Sequence, residues 1–394
     1  MTSPTPFDLA RARRDTPGVA GRLFFDSAGA SLMPTPVVEA VKAHLDCEME
    51  LGGYTAKARA EESLQAVYAS VARLIGGNPD EVALMENATR AWDQAFYGLQ
   101  FRPGDRILTD LSCYGSNYLA FLQSARRTGV EIVPVADAPS GELDLQALEA
   151  AIDERTRLIA VTWIPTASGR VNPAAAVGEI ARRHDLLYLL DACQAVGHVP
   201  VNVADLGCDF LSATGRKYLR GPRGTGFLYV HPRVLDQVEP AVVDVRSAEW
   251  LDPTHYRLRE DARRYETWEM NYAALLGLGA AVDYALSWSV DVTWSRVRDL
   301  AARLRRGLDG LAGVSTQDTG TEQGGIVTFT MDRLEAAAVK ERLGARGVIV
   351  SVSSPDGQLL DFHRRGLPAL VRASVHYFNT DEEVDRLLGL VDAL

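Results

Sequence analysis

Cysteine is scarce in this chain of 394 residues, with four in all. Cys47, Cys113, Cys193 and Cys208 never fall in a C-x-x-C spacing. That counts against a disulfide scaffold and against metal ligation; reduced thiols, a cytoplasmic setting and no bound metal are expected. Long hydrophobic runs are missing too. No uncharged apolar stretch reaches about 18 residues, so no membrane span is expected. The start, "MTSPTPFDLARARRDTP", has no apolar core of the kind a signal peptide needs. Positive charge is in the minority, 41 Lys and Arg against 52 Asp and Glu, for a net charge of −11. That argues against a general nucleic-acid binder, while leaving room for a local basic patch that holds an anion. No internal repeat occurs. No G-x-G-x-x-G follows an early strand-like run, which counts against a dinucleotide site.

What is present is an ordinary globular composition, 47% apolar and 24% charged. From Phe24 to Tyr284, short apolar runs alternate with helical patterns. "DRILTDL", "VEIVPVA", "RLIAVTWI", "LLYLLDA", "CDFLSAT" and "GTGFLYV" read as strands, and "LQALEAAI" and "AAAVGEIARRH" as helices. Continuous apolar strands joined through helices imply an α/β fold with a mostly parallel sheet covered on both faces. Residues 233–265 break the alternation with charged and aromatic residues together, as a surface excursion or subunit contact would. Beyond Asn271 the pattern turns long and helical, then becomes a smaller α+β unit. The expected division is an N-terminal arm (1–20) joining the small unit, a large domain (21–285) and a small C-terminal domain (286–394).

In such sheets ligands bind at the carboxyl ends of the strands. Asp191 and Lys217 both fall there, and both are expensive to bury unpartnered. Lys217 alone is an ordinary surface residue, and Asp191 alone is a helix cap or a satisfied core acid. Together with Gln194, Thr214 and Arg216 they suit a different role. Pyridoxal 5′-phosphate needs an acid at its pyridine nitrogen and a donor near its phenolic oxygen. It also needs a lysine at its aldehyde and an anion cup for its phosphate. Asp191, Gln194, Lys217 and the Thr214–Arg216 pair supply these in that order. In "ENATRAWDQAF", Asn87, Ala88 and Thr89 open a helical pattern, and a helix N-terminus attracts anions. Tyr114 of "CYGSN" follows a strand, where an aromatic packs in the core or lies over a planar ring.

"DACQAVGH" followed by "SATGRKYLRGPRGTGFLYV" resembles the fold-type I pyridoxal-phosphate enzymes, in their class V aminotransferase and cysteine-desulfurase-like branch. The likeness covers residues 20–394. It implies that Lys217 forms the Schiff base and that Tyr114 takes the place of a ring-stacking histidine. Arg216 stands where the family has a phosphate-binding histidine. "PTASGRVNP" places Thr166 at the cofactor's phenolic side. "RYETWEMN", with Glu269, resembles the segment that reaches the neighbouring subunit's cofactor, which implies a homodimer with shared active sites. "LVRASVHYFNTDEEVDRL" resembles the stretch whose arginine, here Arg372, grips the α-carboxylate of an amino-acid substrate.

One departure stands out. Cysteine desulfurases carry a persulfide-forming cysteine on a small-domain loop ahead of that arginine, and here "VSVSSPDGQLLDFHRRG" has none. "FFDSAGASLMP" and "EMELGGYTAKA" look similar to C–S lyases of ergothioneine biosynthesis and secondary metabolism, which implies substrate contacts from Gly29 and Tyr54. The expected reaction is β-elimination from an S-substituted cysteine or cysteine sulfoxide. Transamination, racemisation and decarboxylation-coupled deamination are the alternatives that the same site serves; a non-catalytic binding protein is the distant one.

Overall fold

The computed structural model describes residues 7–394. Its main sheet has seven strands: β1 (Val82–Met85), β2 (Arg106–Asp110), β3 (Glu131–Val135), β4 (Thr156–Thr162), β5 (Leu187–Asp191), β6 (Phe210–Thr214) and β7 (Gly226–Val230). In space they run β1-β7-β6-β5-β4-β2-β3. β3 through β6 and β2 are mutually parallel. β7 is antiparallel to both its neighbours. The reason lies in the connection. β6 and β7 are joined by the turn 215–225 alone, and a parallel pairing would need a crossover of about a dozen residues or more.

The strands are apolar throughout because both faces are covered. Ile159 and Val161 of β4 feed one core while Leu158 and Ala160 feed the other, and Leu190 and Leu189 of β5 divide likewise. Burying each such aliphatic side chain contributes roughly 1.5–3 kcal/mol. The paired helices Thr35–Leu51 and Glu61–Ile75 pack against helix Tyr272–Leu286.

A second sheet holds β8 (Val314–Thr316), β9 (Ile326–Met331), β10 (Ser351–Ser353) and β11 (Leu370–Ser374) in the order β8-β9-β11-β10, all antiparallel. Helices Val290–Asp309 and Asp381–Asp392 lie against each other beside it. The N-terminal segment belongs spatially to this unit. Leu23–Phe24 pairs in parallel with Val348–Ile349, and Asp26 bridges to Ser374. Arg13, on helix Leu9–Arg14, donates to Phe378 O at 2.9 Å and to Glu383 at 2.8 Å. Within 233–265, the hairpin Ala248–Asp252/His255–Leu258 stands out from the body with Trp250 77% exposed.

Candidate active site

Two strand ends build the centre. Asp191 closes β5, and its carboxylate accepts from Cys193 N–H at 2.9 Å and from the Asn117 amide at 2.8 Å. Burial pushes its carboxyl above the usual range, against the pull of the Cys193 N–H, the Lys217 ammonium and the Asn117 amide. Lys217, also buried, sits in the turn after β6. That turn is closed by Arg220 N–H to Lys217 O at 2.9 Å and by Gly221 N–H to Gly215 O at 2.7 Å. The two turns lie against one another at Gly197, which has φ +77° and where a Cβ would come within 2.7 Å of the Leu219 backbone. Any side chain there would push the lysine turn away from the aspartate turn.

Between them lies a cavity of about 320 Å³. Asn87, Ala88, Thr89, Tyr114, Thr166, Asp191, Gln194, Thr214, Arg216 and Lys217 all line it. Asn87 caps helix Ala88–Phe96 through its side-chain oxygen, which accepts from Arg90 N–H at 3.0 Å, and so turns the helix start toward the cavity. Arg216 lines the cavity while also donating to Gly29 O. Gln194 donates from Nε2 to Ala28 O and to Thr166 Oγ1, each at 3.1 Å. Its Oε1, and Thr162 Oγ1 of another lining residue, are buried with no hydrogen-bond partner among the described residues. Polar atoms so placed cost stability unless a ligand meets them.

Arg372, on β11, borders the cavity through Thr166. Its Nη1 donates to Thr166 Oγ1 at 2.7 Å and Thr166 O at 3.2 Å, its Nε to Ser351 Oγ at 2.9 Å, and its Nη2 to Asp26 at 3.2 Å. Gly29 faces that pair: a Cβ on it would come within 2.6 Å of the Asp26 carboxylate. Tyr54 and Glu269 are elsewhere. Both line a separate cleft of about 680 Å³ with Lys57, Glu86 and Trp268, and Tyr54 is 83% exposed. Within one chain, therefore, these two do not join the other expected residues.

Sequence reasoning missed several wall residues. Asn117, Thr162, Ile164 and Ser212 line the cavity, as does Cys193, which had no assigned role. Asn117 lay within the quoted "CYGSN", but its contact with Asp191 depends on helix Gly115–Thr128 starting beside β5. Asp26, the partner of Arg372, sits at a bridge that only the fold creates.

The segment 350–366 packs behind the cavity lining through Gln358. Gln358 is buried; its Oε1 accepts from Ala167 N–H at 2.8 Å, and its Nε2 donates to Ser112 O. Those contacts fall next to Thr166 and two residues before Tyr114, both of which line the cavity. Of the four cysteines only Cys193 lines it, and burial pushes that thiol's pKa up, away from the thiolate. All four are free thiols.

A mostly parallel sheet, helices on both faces, and a lysine opposite an aspartate at adjoining strand ends define the fold-type I pyridoxal-phosphate architecture. The aminotransferase class-V family model matches residues 23–387, and the chain belongs to that family, whose cofactor is pyridoxal phosphate. A probable cysteine desulfurase of Methanothermobacter thermautotrophicus is 31% identical over 385 residues, 96% of this chain and 95% of that one. Among solved structures, a cysteine desulfurase of Thermococcus onnurineus matches with a TM-score of 0.91 at 27% identity, over 100% of this chain and 99% of its own. The cystine C–S lyase C-DES, in complex with its product cysteine persulfide, matches with a TM-score of 0.87 at 25% identity, over 96% and 99%. The relatives thus act on sulfur amino acids by two routes, desulfuration and C–S lysis.

Proposed function

We propose that this protein is a pyridoxal-phosphate-dependent C–S lyase that carries out β-elimination on an S-substituted cysteine or cysteine sulfoxide, as a homodimer. The observation that carries the elimination reading is the thiol inventory: the small-unit segment 350–366 holds no cysteine, and the one thiol lining the cavity, Cys193, is pushed away from the thiolate by burial.

Pyridoxal phosphate, when bound, supplies an electron sink for bonds at the substrate's α-carbon. The residues present fit it. Lys217 Nζ is the amine for its aldehyde. Asp191 holds a proton at its ring nitrogen, with Asn117 and Cys193 N–H fixing the carboxylate's direction. The start of helix Ala88–Phe96, Thr214 and Arg216 gather donors for a phosphate. Tyr114, on the cavity wall, would lie against a bound ring. Gln194, on the cavity wall with its Oε1 unpartnered among the described residues, would lie at the ring's phenolic side. Arg372 binds the substrate carboxylate. Lys217 Nζ takes the α-proton, the task for which a lysine beside the reacting carbon is suited. Cleavage of the Cβ–S bond consumes one water overall and yields pyruvate, ammonium and a thiol, or a sulfenic acid from a sulfoxide, so sulfur leaves without being handed to a protein cysteine.

The exposed cleft holding Tyr54, Trp268 and Glu269 fits a subunit contact, which would bring Glu269 to the partner's cavity. Light scattering at assay concentration should give a dimer, and a fully active monomer overturns the assembly. For the reaction, S-alkyl cysteines are incubated with loaded enzyme and no keto acid. Thiol, pyruvate and ammonia should appear in equal amounts, and replacing each cysteine in turn should leave turnover intact. A requirement for a keto-acid acceptor indicates transamination. Carbon dioxide release with sulfur still bonded to carbon indicates decarboxylative chemistry. Either result overturns the lyase reading.

A further inference from the structure

Arg372 and the turn bearing Lys217 are joined by six consecutive residues of the small unit. Arg372 lies on β11; His376 and Tyr377 follow one residue beyond its end and are buried. The segment is strapped down between them, with Ser374 N–H to Phe25 O at 2.7 Å and Val375 N–H to Gly325 O at 3.0 Å.

His376 reaches the lysine turn through its ring. Nδ1 accepts from Tyr377 N–H at 2.9 Å, so the proton sits on Nε2, which donates to Tyr218 O at 3.0 Å. Tyr218 is the residue after Lys217, and its ring lies between two imidazoles: His198 stacked at 3.7 Å and 9°, His376 at 5.4 Å and 29°. His198 is fixed in turn, with Nδ1 to Gln194 O at 2.9 Å and Nε2 accepting from Gly325 N–H at 2.8 Å. Burial keeps both histidines neutral, His198 being pushed down to about 3 and His376 well below its usual value.

Tyr377 reaches the same turn from its other end. Its hydroxyl accepts from Arg220 Nη1 at 2.8 Å. Arg220 is buried, with φ +62°, and its N–H closes the turn on Lys217 O. The remaining partners of its guanidinium are Leu32 O at 2.8 Å and Thr16 Oγ1 at 2.5 Å, neither a carboxylate. A buried cation held by neutral oxygens and aromatic faces depends on each of them. When Tyr377 shifts, Arg220 and the turn follow.

Arg372 supplies the other end of the linkage. Each of its three nitrogens already has a protein partner. A carboxylate gripped by two of them must displace at least one of these contacts. We infer that His376 and Tyr377 are positioning residues that relay carboxylate binding at Arg372 to the turn carrying Lys217, so that the lysine is set only once substrate is seated. The relay rests on the proposed roles of Arg372 and Lys217.

The test uses loaded enzyme and propionate, a carboxylate with no amine to react. Calorimetry follows its binding, and hydrogen exchange by mass spectrometry follows the peptide containing Tyr218–Gly221. In the parent protein propionate should slow exchange there by about five-fold or more, the scale of an ordinary coupling between sites. Tyr377→Phe, which removes only the hydroxyl, and His376→Phe, which keeps a ring, should bind propionate within about two-fold of the parent yet lose the slowing. Slowing undiminished in Tyr377→Phe, or absent in the parent although propionate binds through Arg372, overturns the relay and leaves the proposed function standing. Binding that survives Arg372→Ala overturns the carboxylate reading and the relay with it.

Discussion

Arg170 and Asp361 form an ion pair at 3.3 Å in which each side chain is only 1% exposed. Arg170 comes from the loop after β4, and Asp361 from helix Leu359–Arg365 of the small unit. Asp137 takes the other side of the guanidinium at 3.2 Å. The pair fixes the small-unit segment that follows Gln358. Removing Asp361 leaves Arg170 one partner short but not alone, so the cost should fall at the low end for a broken buried pair. Asp361→Ala is expected to lose about 3 kcal/mol in denaturant unfolding, with faster proteolysis around residues 354–366. A loss below about 1 kcal/mol, the scale of surface pairs, would mean that the pair is not a clasp.

Lys217→Ala should fold, because its backbone turn is closed by main-chain bonds. It should give no borohydride-fixed pyridoxyl adduct. A reduced adduct found on another lysine by peptide mass would reassign the site.

Arg216 meets the cavity with a guanidinium whose planar fork suits a phosphate. Arg216→Ala should raise the dissociation constant for pyridoxal phosphate about ten-fold or more, as expected on losing a hydrogen bond from a charged group. The rate of enzyme still loaded should change less. The variant also loses the contact with Gly29 O, so a small rise in KM is expected beside it. Unchanged cofactor retention would show that Arg216 serves Gly29 alone.

Asp110 closes β2 within the core, accepting from Ser112 Oγ at 2.6 Å and Thr162 N–H at 2.7 Å. Burial pushes it from 3.8 up to about 6, against the pull of those hydrogen bonds and of Arg170. A carboxyl whose folded value is raised favours folding fully below its unfolded value, and that contribution is lost as pH rises through the folded value. Between pH 3.8 and about 6, Asp110 should therefore remove stability on the order of 3 kcal/mol. Asp110→Asn should flatten this part of the pH profile of unfolding free energy. An unchanged slope would place the titration elsewhere.

Much of this was legible in the chain. Each of the six apolar runs read as a strand is in the main sheet, because a strand covered on both faces has a composition that no loop shares. Val82–Met85 was not read: four residues between two helices show no period. The reversal of β7 was hidden as well, since direction depends on the length of the turn before it. In the site, residues announced by local chemistry were visible: a lysine in a glycine-rich turn, an acid at a strand end. His198, His376 and Asp26 were not, because each works on a partner far away in sequence.

The pairing of Leu23–Phe24 with Val348–Ile349 has a consequence for how the protein is made. Residues near the start of the chain wait on the ribosome's exit side for a strand that is nearly the last to be translated. Until then Phe25 and Asp26 lack the strand and the arginine they pair with, while Ala28 and Gly29 already meet Gln194 and Arg216. The corner where Asp26 meets Arg372 waits for residue 372, so a nascent chain stalled short of residue 370 would hold a nearly whole main sheet without that ion pair.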